Sequence, residues 1–263
     1  MEENKKRVSV AMAAYNGLPY IREQVISILK NLTAEDELVI SDDGSTDKTQ
    51  EFLAEIAKED ARVRVVQGPG SGIKKNFENA LKHCLGNYIF LADQDDIWAD
   101  DKVEKMLGVF EAKGVSLVMH DAVVVNEDHT EELMPSFFAY RGSKAGACAN
   151  IIKNTYMGCC MAFRREVLQW ILPIPEEIQM HDQWIGVLND LKGSGTCIMP
   201  EKLLFYRRHE HNNSDFSHNT VPVMIKNRIV FLRALHRQLR VLKIKHLLRK
   251  GENIDTRIDL LYS

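Results

Sequence analysis

The 263-residue sequence has no apolar run long enough to cross a membrane. Its apolar runs, such as Tyr88–Ala92, fall far short of the ~20 residues that a spanning helix needs. The charged start, Met1–Arg7, lacks the apolar core of a signal peptide. Only five cysteines are present and none forms a Cys-x-x-Cys pair, which favours reduced thiols over a disulfide scaffold. We therefore expect a cytoplasmic protein, at most peripheral on the inner face of the membrane.

Acidic residues are missing from a long stretch near the end of the chain. Residues 216–263 hold ten of the 34 basic and three of the 37 acidic residues, a net charge of +7 against −10 for residues 1–215. The pattern predicts a main domain over 1–215 and a basic amphipathic helical extension over 216–263. That helix either packs on the domain or binds an anionic membrane surface. Nucleic acid is not expected as a partner, because no aromatic residues interleave the charges.

Short apolar runs alternate with segments of helical periodicity through the first part of the chain. Strands are predicted at 8–14, 37–41, 62–66, 88–92 and 115–120, with helices at 19–32, 46–58, 74–84, 100–111 and 181–191. Residues 139–150 are predicted to be a loop. The alternation is typical of an α/β fold, with a mostly parallel, Rossmann-like sheet flanked by helices. Ligands bind beyond the carboxyl ends of such strands, so the polar residues there are the functional candidates.

Three polar clusters follow predicted strands. Asp93, Asp95 and Asp96 stand after the fourth, and two adjacent carboxylates repel unless a cation lies between them. Hard oxygen ligands suit Mg²⁺ or Mn²⁺. The alternative is a solvated acidic turn that caps the next helix. The other clusters are Asp42–Asp47 after the second strand and Ala13–Gly17 after the first, either of which is also compatible with an ordinary turn.

Taken together, the three clusters resemble family 2 glycosyltransferases of the GT-A fold, which use a nucleotide-sugar donor. The matching segments, within a resemblance that covers about residues 7–215, are Ala14–Gly17, Asp42–Asp47 and Phe90–Trp98. The third segment is similar to that of bacterial rhamnosyltransferase-like polysaccharide enzymes. Ala13-Ala14 replaces the more usual Pro-Thr, which removes one side-chain hydroxyl near the nucleoside.

The resemblance implies a role for each matched position on the donor side. Asp42 would bind the uracil or thymine ring, with Asp43 beside it. The remaining nucleotide contacts would come from Ala13, Tyr15, Lys75, Asn76 and Asp93. Asp95, assisted by Asp93, would hold Mg²⁺ or Mn²⁺ on the donor diphosphate. His209, in a closing Y-R-x-H-x-x-N segment, would complete the metal shell or bind phosphate.

The resemblance also implies an acceptor side and a catalytic base. An inverting transfer needs a group that takes the proton of the attacking hydroxyl. Asp182, at the start of a predicted helix, matches the family's base, and the helix dipole would favour its ionised form. The alternative for Asp182 is a helix cap. Gly158, His181 and Trp184 would lie on the acceptor side.

The expected function is therefore an inverting, metal-dependent glycosyltransferase of cell-surface polysaccharide synthesis. It would move a sugar from a UDP- or dTDP-sugar, with dTDP-rhamnose as one candidate, to a saccharide or lipid-linked saccharide acceptor. One alternative is a sugar-nucleotide nucleotidylyltransferase, although the early Gly-rich phosphate loop of such enzymes is missing. Another is a non-catalytic nucleotide-sugar-binding scaffold.

Overall fold

The computed structural model describes residues 6–210, 212 and 220–249. It divides the chain into two compact units. The first comprises Met1–Ile174 and Met180–Phe216, and the second comprises Pro175–Gln179 and Ser217–Ser263. The division near residue 216 lies next to the boundary predicted from the change in charge.

The described residues form nine strands and nine α-helices. The strands are β1 Val8–Ala14, β2 Glu37–Asp42, β3 Val63–Gln67, β4 Tyr88–Ala92, β5 Ile97–Trp98, β6 Leu117–Val125, β7 Glu132–Met134, β8 Met161–Arg164 and β9 Thr196–Arg207. The helices are α1 Ile21–Asn31, α2 Thr49–Glu59, α3 Ile73–His83, α4 Lys102–Lys113, α5 Phe137–Arg141, α6 Ala147–Ile152, α7 Leu168–Ile171, α8 His181–Lys192 and α9 Val221–Arg249.

The strands form one sheet in the order β3-β2-β1-β4-β8-β6-β9-β5, with β7 paired to β6. The first four strands of this order are parallel. Strands β1, β2 and β4 are almost wholly buried, as continuous apolar runs in a parallel sheet require. In the sheet, β2 lies on one side of β1 and β4 lies on the other. The carboxyl ends of these three strands therefore meet at one edge of the sheet, where all three polar clusters lie.

The second half of the sheet is mixed, since β8 is antiparallel to both β4 and β6 while β9 runs parallel to β6. Strand β9 has no strong sequence signal because Pro200, Glu201 and Lys202 interrupt it. A register shift absorbs the interruption: His120 of β6 pairs with Met199, and the next residue, Asp121, pairs with Lys202.

The prediction of a loop over residues 139–150 was wrong in part, because α5 and α6 flank a connection of only five residues, 142–146. Ser136 caps α5 by accepting the N–H of Ala139, and Gly142 ends it in the left-handed conformation. The side chain of Asn150 then ties the segment together. Its Nδ2 donates to the carbonyl of Lys144, and its Oδ1 accepts the N–H of Thr155, both at 2.8 Å.

The second unit contains α9, which begins where the charge pattern predicted a basic helix. Phe231, Ala234 and Leu235 are buried, whereas Val221 and Leu232 are 67% and 47% exposed. Arg237 forms an ion pair with Glu177 of the same unit. Within the part of the chain that the structure describes, no helix combines the length and apolar character needed to cross a bilayer.

Candidate active site

The turns after β1 and β2 interlock through short side chains. Asn16 has a positive φ of 48°, and its Oδ1 accepts the N–H of Thr46 at 2.7 Å. Its own N–H donates to Ser45 Oγ at 2.8 Å. Thr49, the first residue of α2, accepts the N–H of Gly17 at 2.9 Å. The Asn-Gly turn and the Asp-rich turn therefore form one connected structure at the sheet edge.

Gln94 joins this structure to the acidic segment after β4. Its Oε1 accepts the N–H of Tyr15 at 2.9 Å, and its Nε2 donates to the Tyr15 carbonyl at 3.0 Å. A Cβ on Gly17 would lie 2.7 Å from Gln94 Oε1, so glycine permits this close approach. Tyr15 itself is 55% exposed, and its ring is available to stack on a base. The sequence analysis missed Gln94, which occupies the variable position between Asp93 and Asp95.

Asp42 is buried and already accepts hydrogen bonds from its own turn. Its Oδ1 accepts the hydroxyl of Ser45 at 2.5 Å, and its Oδ2 accepts the amide of Gln50 at 2.9 Å. A carboxylate has about four acceptor positions, so these bonds leave capacity for a base N–H. The predicted role of Asp42 on the base stays a prediction, now with a carboxylate held in place.

The other predicted nucleotide contacts have structural partners in this arrangement. Asp43 accepts the N–H groups of Gly70 and Gly72 at 2.7 and 2.8 Å and so shapes the loop before α3. Asn76 donates to the carbonyl of Ala14 at 3.0 Å. Lys75 points to the other side of α3, where its Nζ donates to Glu78 and to the Ile174 carbonyl, both at 2.9 Å. Of these residues, Lys75 is the one that the structure separates from the turns after β1 and β2.

The end of β9 brings His209 to the acidic segment. His209 Nε2 lies 2.9 Å from Asp95 Oδ2, and the ring stacks on Tyr20 with centroids 4.5 Å apart. Asn212 Nδ2 lies 3.3 Å from the same oxygen and 3.2 Å from His209 Nε2. Arg207 donates from Nε to the Asp95 carbonyl at 2.9 Å. Asp95 and His209, 114 residues apart in the chain, are therefore in contact, and their predicted role with Asp93 as metal ligands stays a prediction.

Asp93 faces a different set of groups. A carboxylate oxygen of Asp93, one of Asp96 and the Cys159 sulfur lie within 4.8 Å of one another. Asp96 is fully buried, and within the described part of the chain its Oδ2 has no hydrogen-bond partner. Burial, with the charges of Asp95 and Asp182, raises the pKa of Asp93 to about 7. A carboxyl group with so high a pKa indicates negative charge that lacks compensation.

Lys102 is a cation whose charge acts on both Asp93 and Asp96. Its Nζ donates to the carbonyl of Cys159 at 2.8 Å and lies 3.8 Å from the Trp98 ring centroid. Burial lowers the pKa of Lys102 to about 8. The buried ammonium therefore connects α4 to the Gly158–Cys160 turn on the acceptor side.

The donor groups present fit a divalent cation best at Asp95. One carboxylate and one imidazole face each other there, and carboxylate oxygen suits Mg²⁺ or Mn²⁺ while imidazole suits transition metals. The Asp93–Asp96–Cys159 group fits less well, because burial raises the pKa of the Cys159 thiol and a thiol proton must leave before sulfur binds a metal. Asp93 belongs to the second group by distance, and the charge of Asp95 also acts on it.

Asp182 stands at the second position of α8, only 7% exposed. Its Oδ1 accepts the N–H of Gln183 at 2.5 Å and the amide of Asn154 at 3.2 Å. Burial raises the pKa of Asp182 to about 6, which outweighs these bonds and the helix dipole. The carboxyl is therefore ionised at neutral pH with a basicity that suits proton abstraction. The charge of Asp182 acts on Asp93, so the predicted base and the acidic segment are electrostatically coupled.

His181 and Gly158 lie beside Asp182. A Cβ on Gly158 would meet His181 Nε2 at 3.0 Å, which explains glycine there. His181 is buried and stacks on Phe77 with centroids 4.2 Å apart, and neither of its ring nitrogens has a hydrogen-bond partner among the residues that the structure describes. Burial, with the charge of Lys74, lowers the pKa of His181 to about 4. The imidazole is neutral at pH 7 and offers one donor and one acceptor to a hydroxyl group.

Trp184 does not reach this surface. It is fully buried, and its indole N–H donates to the carbonyl of Ile171 at 2.9 Å. Trp184 therefore packs in the core on the buried face of α8. Because its side chain is buried there, it is not available to contact an acceptor.

A family model described as Glycosyl transferase family 2 matches residues 9–172 of this sequence. The chain belongs to glycosyl transferase family 2. The matched region contains the three polar clusters and Gly158, whereas Asp182 and His209 lie beyond it. Membership therefore supports the donor-side architecture, while the roles of Asp182 and His209 depend on the geometry described above.

Curated relatives of this family 2 chain include two bacterial proteins. A Bacillus subtilis glycosyltransferase named for teichuronic acid biosynthesis, TuaG, is 31% identical over 216 residues, which cover 77% of this chain and 79% of TuaG. WfgD of Escherichia coli is 26% identical over 155 residues, covering 58% of this chain and 57% of WfgD. WfgD is described as a glucosyltransferase that takes UDP-Glc and an α-D-GlcNAc-diphosphoundecaprenol acceptor.

Solved structures share the fold at low sequence identity. Residues 1–349 of TarS from S. aureus, crystallised with UDP-GlcNAc, superimpose with a TM-score of 0.66 at 18% identity, over 92% of this chain and 66% of that chain. A mannosyltransferase of Pyrobaculum calidifontis, solved with GDP-Man and Mn²⁺, superimposes with a TM-score of 0.60 at 18% identity, over 79% of this chain and 59% of that one. The GT-A fold predicted from the three clusters is confirmed.

Proposed function

We propose that the chain is an inverting, metal-dependent glycosyltransferase that uses a UDP- or dTDP-sugar. The observation that carries the proposal is the buried Asp182 carboxylate, with a pKa of about 6, coupled by charge to Asp93 of the acidic segment. This coupling supports Asp182 as the base of a reaction at the groups expected to hold the donor diphosphate. Mg²⁺ or Mn²⁺ bound at Asp95 and His209 would neutralise the leaving diphosphate.

Side chains and turns of the chain carry out the other steps of the proposed reaction. The turns that hold Tyr15 and Asp42 bind the nucleoside. Gly158 and His181 receive the acceptor, with the neutral imidazole orienting a hydroxyl. Asp182 takes the proton of that hydroxyl as the oxygen attacks the anomeric carbon opposite the leaving group, which inverts the configuration. The depth of the site keeps the carboxylate poorly solvated and therefore basic.

The proposed acceptor is a saccharide or lipid-linked saccharide in cell-surface polysaccharide synthesis. The names of TuaG and WfgD support this setting. Family membership speaks against a nucleotidylyltransferase, and the intact Asp93, Asp95 and Asp182 speak against a non-catalytic scaffold. The donor sugar, dTDP-rhamnose among the candidates, is left to experiment.

A panel of UDP, dTDP and GDP, each with Mn²⁺ or EDTA, tests the donor class by thermal denaturation. We expect UDP or dTDP to stabilise the fold with Mn²⁺ by about 2.7 kcal/mol at ~100 times the dissociation constant, and much less with EDTA. Consumption of the matching nucleotide sugar must then be measured, since a scaffold binds without turnover. Equal shifts with Mn²⁺ and EDTA would refute the metal dependence.

The basic helix α9 is proposed to contact an anionic membrane, where a lipid-linked acceptor resides. Its exposed apolar residues, which include Val221, Ile225 and Leu232, alternate with lysines and arginines. Co-sedimentation of the full chain with phosphatidylglycerol vesicles should be strong at low salt and weak at high salt. Replacement of Lys226 and Arg233 by Gln should weaken it, whereas Lys58→Gln on α2 should not. Binding that ignores salt would contradict the proposal.

A further inference from the structure

Arg141 is a positively charged residue on the proposed acceptor side, and the proposed reaction gives it no role. It is the last residue of α5, and its side chain is half-buried. Its Nε is buried and has no hydrogen-bond partner among the described residues. Its guanidinium carbon lies 5.8 Å from the Phe137 ring centroid. A buried guanidinium N–H without an acceptor is costly, because desolvation of a donor is repaid only by a hydrogen bond.

Hydrogen bonds hold the backbone before and after Arg141 in place. Asp121 Oδ1 accepts the N–H of Phe138 at 2.8 Å, and Asp121 Oδ2 accepts the hydroxyl of Ser136 at 2.5 Å. Gly142 then ends the helix by donating its N–H to the Phe138 carbonyl at 2.8 Å. The guanidinium is therefore carried by a turn that is tied to β6 on one side and closed on the other.

A second set of bonds places this turn next to the base. Lys153 Nζ donates to the Arg141 carbonyl at 3.2 Å, and the neighbouring Asn154 donates to Asp182 at 3.2 Å. Lys144 N–H donates to Thr155 Oγ1 at 3.1 Å. Residues 153–155 thus run between the end of α5 and Asp182.

The charge of Arg141 acts on the acceptor side of the site. It lowers the pKa of Asp182 against the larger effect of burial. The groups that most affect the pKa of Asp93 are burial, Asp95 and Asp182, and Arg141 is absent from those with a principal effect. The charge of Arg141 therefore acts on Asp182, towards which the bonds of Lys153 and Asn154 connect the end of α5.

A cation beside a general base has a chemical cost, because it stabilises the carboxylate and weakens its affinity for the proton. The cost disappears when an anion occupies the guanidinium. An acceptor that brings its own negative charge would satisfy the buried Nε, neutralise the cation and leave Asp182 more basic. His181, with two unpartnered ring nitrogens, would hold a hydroxyl of the same molecule.

We propose that Arg141 binds an anionic group of the acceptor, a phosphate or a carboxylate, and so selects acceptors that carry a negative charge near the attacked hydroxyl. This proposal rests on the proposed function of the site. Both anions fit the planar fork of a guanidinium, which donates two parallel hydrogen bonds to either. The substrate class is therefore an anionic saccharide or a saccharide phosphate.

The experiment uses the full chain saturated with UDP and Mn²⁺, so that the donor site is filled. Three probes are titrated by calorimetry or ligand-observed NMR: methyl β-D-glucuronide, N-acetylglucosamine 1-phosphate and the neutral methyl β-D-glucoside. We expect at least one anionic probe to bind roughly tenfold more tightly than the glucoside, the scale of one charge-assisted bond. The anion that shows the preference identifies the class, carboxylate or phosphate.

Arg141→Gln should reduce this preference to within about twofold, while Arg141→Lys should keep part of it because the charge remains. Lys144→Gln is the matched control. It removes an exposed positive charge three residues away and should keep the preference. Circular dichroism shows whether each variant is folded, independently of its affinity for UDP·Mn²⁺. If Arg141→Gln does not fold, Arg141→Lys replaces it as the test, and its anion preference should fall below that of the parent because lysine cannot form the bidentate pair.

Three outcomes would overturn the inference: no preference for an anion in the parent, an unchanged preference in Arg141→Gln, or a loss of UDP·Mn²⁺ affinity in that variant, which would place Arg141 on the donor. Failure of the proposed function looks different. In that case the parent binds no UDP·Mn²⁺ and consumes no nucleotide sugar, whatever the probes do.

Discussion

The donor and acceptor sides of the site are built in different ways. On the predicted donor side, Asn16, Asp42 and Gln94 bond to neighbouring turns, and the buried atoms without a partner among the described residues are two oxygens, Asn76 Oδ1 and Asp96 Oδ2. On the predicted acceptor side, the buried atoms without such a partner are nitrogens, both of the His181 ring and Nε of Arg141. The two sides therefore differ in what would complete them: an N–H group or a cation on the first, and a hydroxyl group or an anion on the second. Such incomplete satisfaction is a cost that persists where function requires it.

Asp182→Asn should give the largest effect and should separate the two sides. The asparagine keeps an oxygen for the N–H groups of Gln183 and Asn154, so the local fold should survive. It cannot accept the acceptor's proton, and transfer should fall by ~10²–10⁴. Turnover with an acceptor and affinity for UDP·Mn²⁺ are to be measured in parallel. Turnover within about threefold of the parent would show that Asp182 only caps α8.

Asp121 is a poor substitute for that base. Both of its oxygens already accept hydrogen bonds from β6 and the start of α5. We therefore expect Asp121→Asn to lower the stability of the fold. The transfer rate of the molecules that remain folded should keep the pH dependence of the parent.

Asp95→Asn should damage the donor side and should affect metal-dependent binding before chemistry. The substitution removes the negative charge of Asp95, which is proposed to hold the ion together with His209. We expect the stabilisation by UDP·Mn²⁺, about 2.7 kcal/mol at ~100 times the dissociation constant in the parent, to be largely lost. Thermal denaturation with Mn²⁺ and with EDTA measures it. Asp100→Asn, at an exposed carboxylate, is the control and should behave like the parent.

The pH dependence should report the acceptor side. Because burial raises the pKa of Asp182 to about 6, the carboxyl is protonated below that pH and cannot act as a base. The rate of transfer should fall about tenfold for each unit below pH 6 and level off above it. Affinity for UDP·Mn²⁺ at each pH must be recorded alongside, so that donor loss is not mistaken for loss of the base. A rate that is constant from pH 4.5 to 7 would contradict the assignment.

Gln94→Leu should have the smallest effect, confined to the donor side. The change removes both bonds to the Tyr15 backbone at similar side-chain volume. Each such bond contributes about 1 kcal/mol, so UDP·Mn²⁺ affinity should fall by roughly five- to thirtyfold. Gln67→Leu, at an exposed side chain at the end of β3, is the matched control. An equal loss in both variants would show that the link does not organise the pocket.

The donor side was predictable because its signals are local. A strand, the polar turn after it and the following helix lie within one short stretch of sequence, 8–31 for β1 and α1 and 37–59 for β2 and α2, and parallel strands bring such turns to one edge. The fold class, the three clusters and most element bounds followed from this. Strands β8 and β9 did not, since β8 is four residues long and β9 contains Pro200 beside two charged residues. Their pairing depends on β6, which lies far away in the sequence.

The amino-acid sequence by itself determined the alternation of strands and helices, the three polar turns and the basic segment that follows residue 215, because each is a matter of neighbouring residues and their spacing. Only the tertiary structure decided which of these groups face each other. It paired Asp95 with His209, turned Lys75 towards Glu78, sealed Trp184 in the core and raised the pKa of Asp182 by burial. Distance, desolvation and charge between remote segments exist only after the chain has folded, and these quantities set the chemistry of the site.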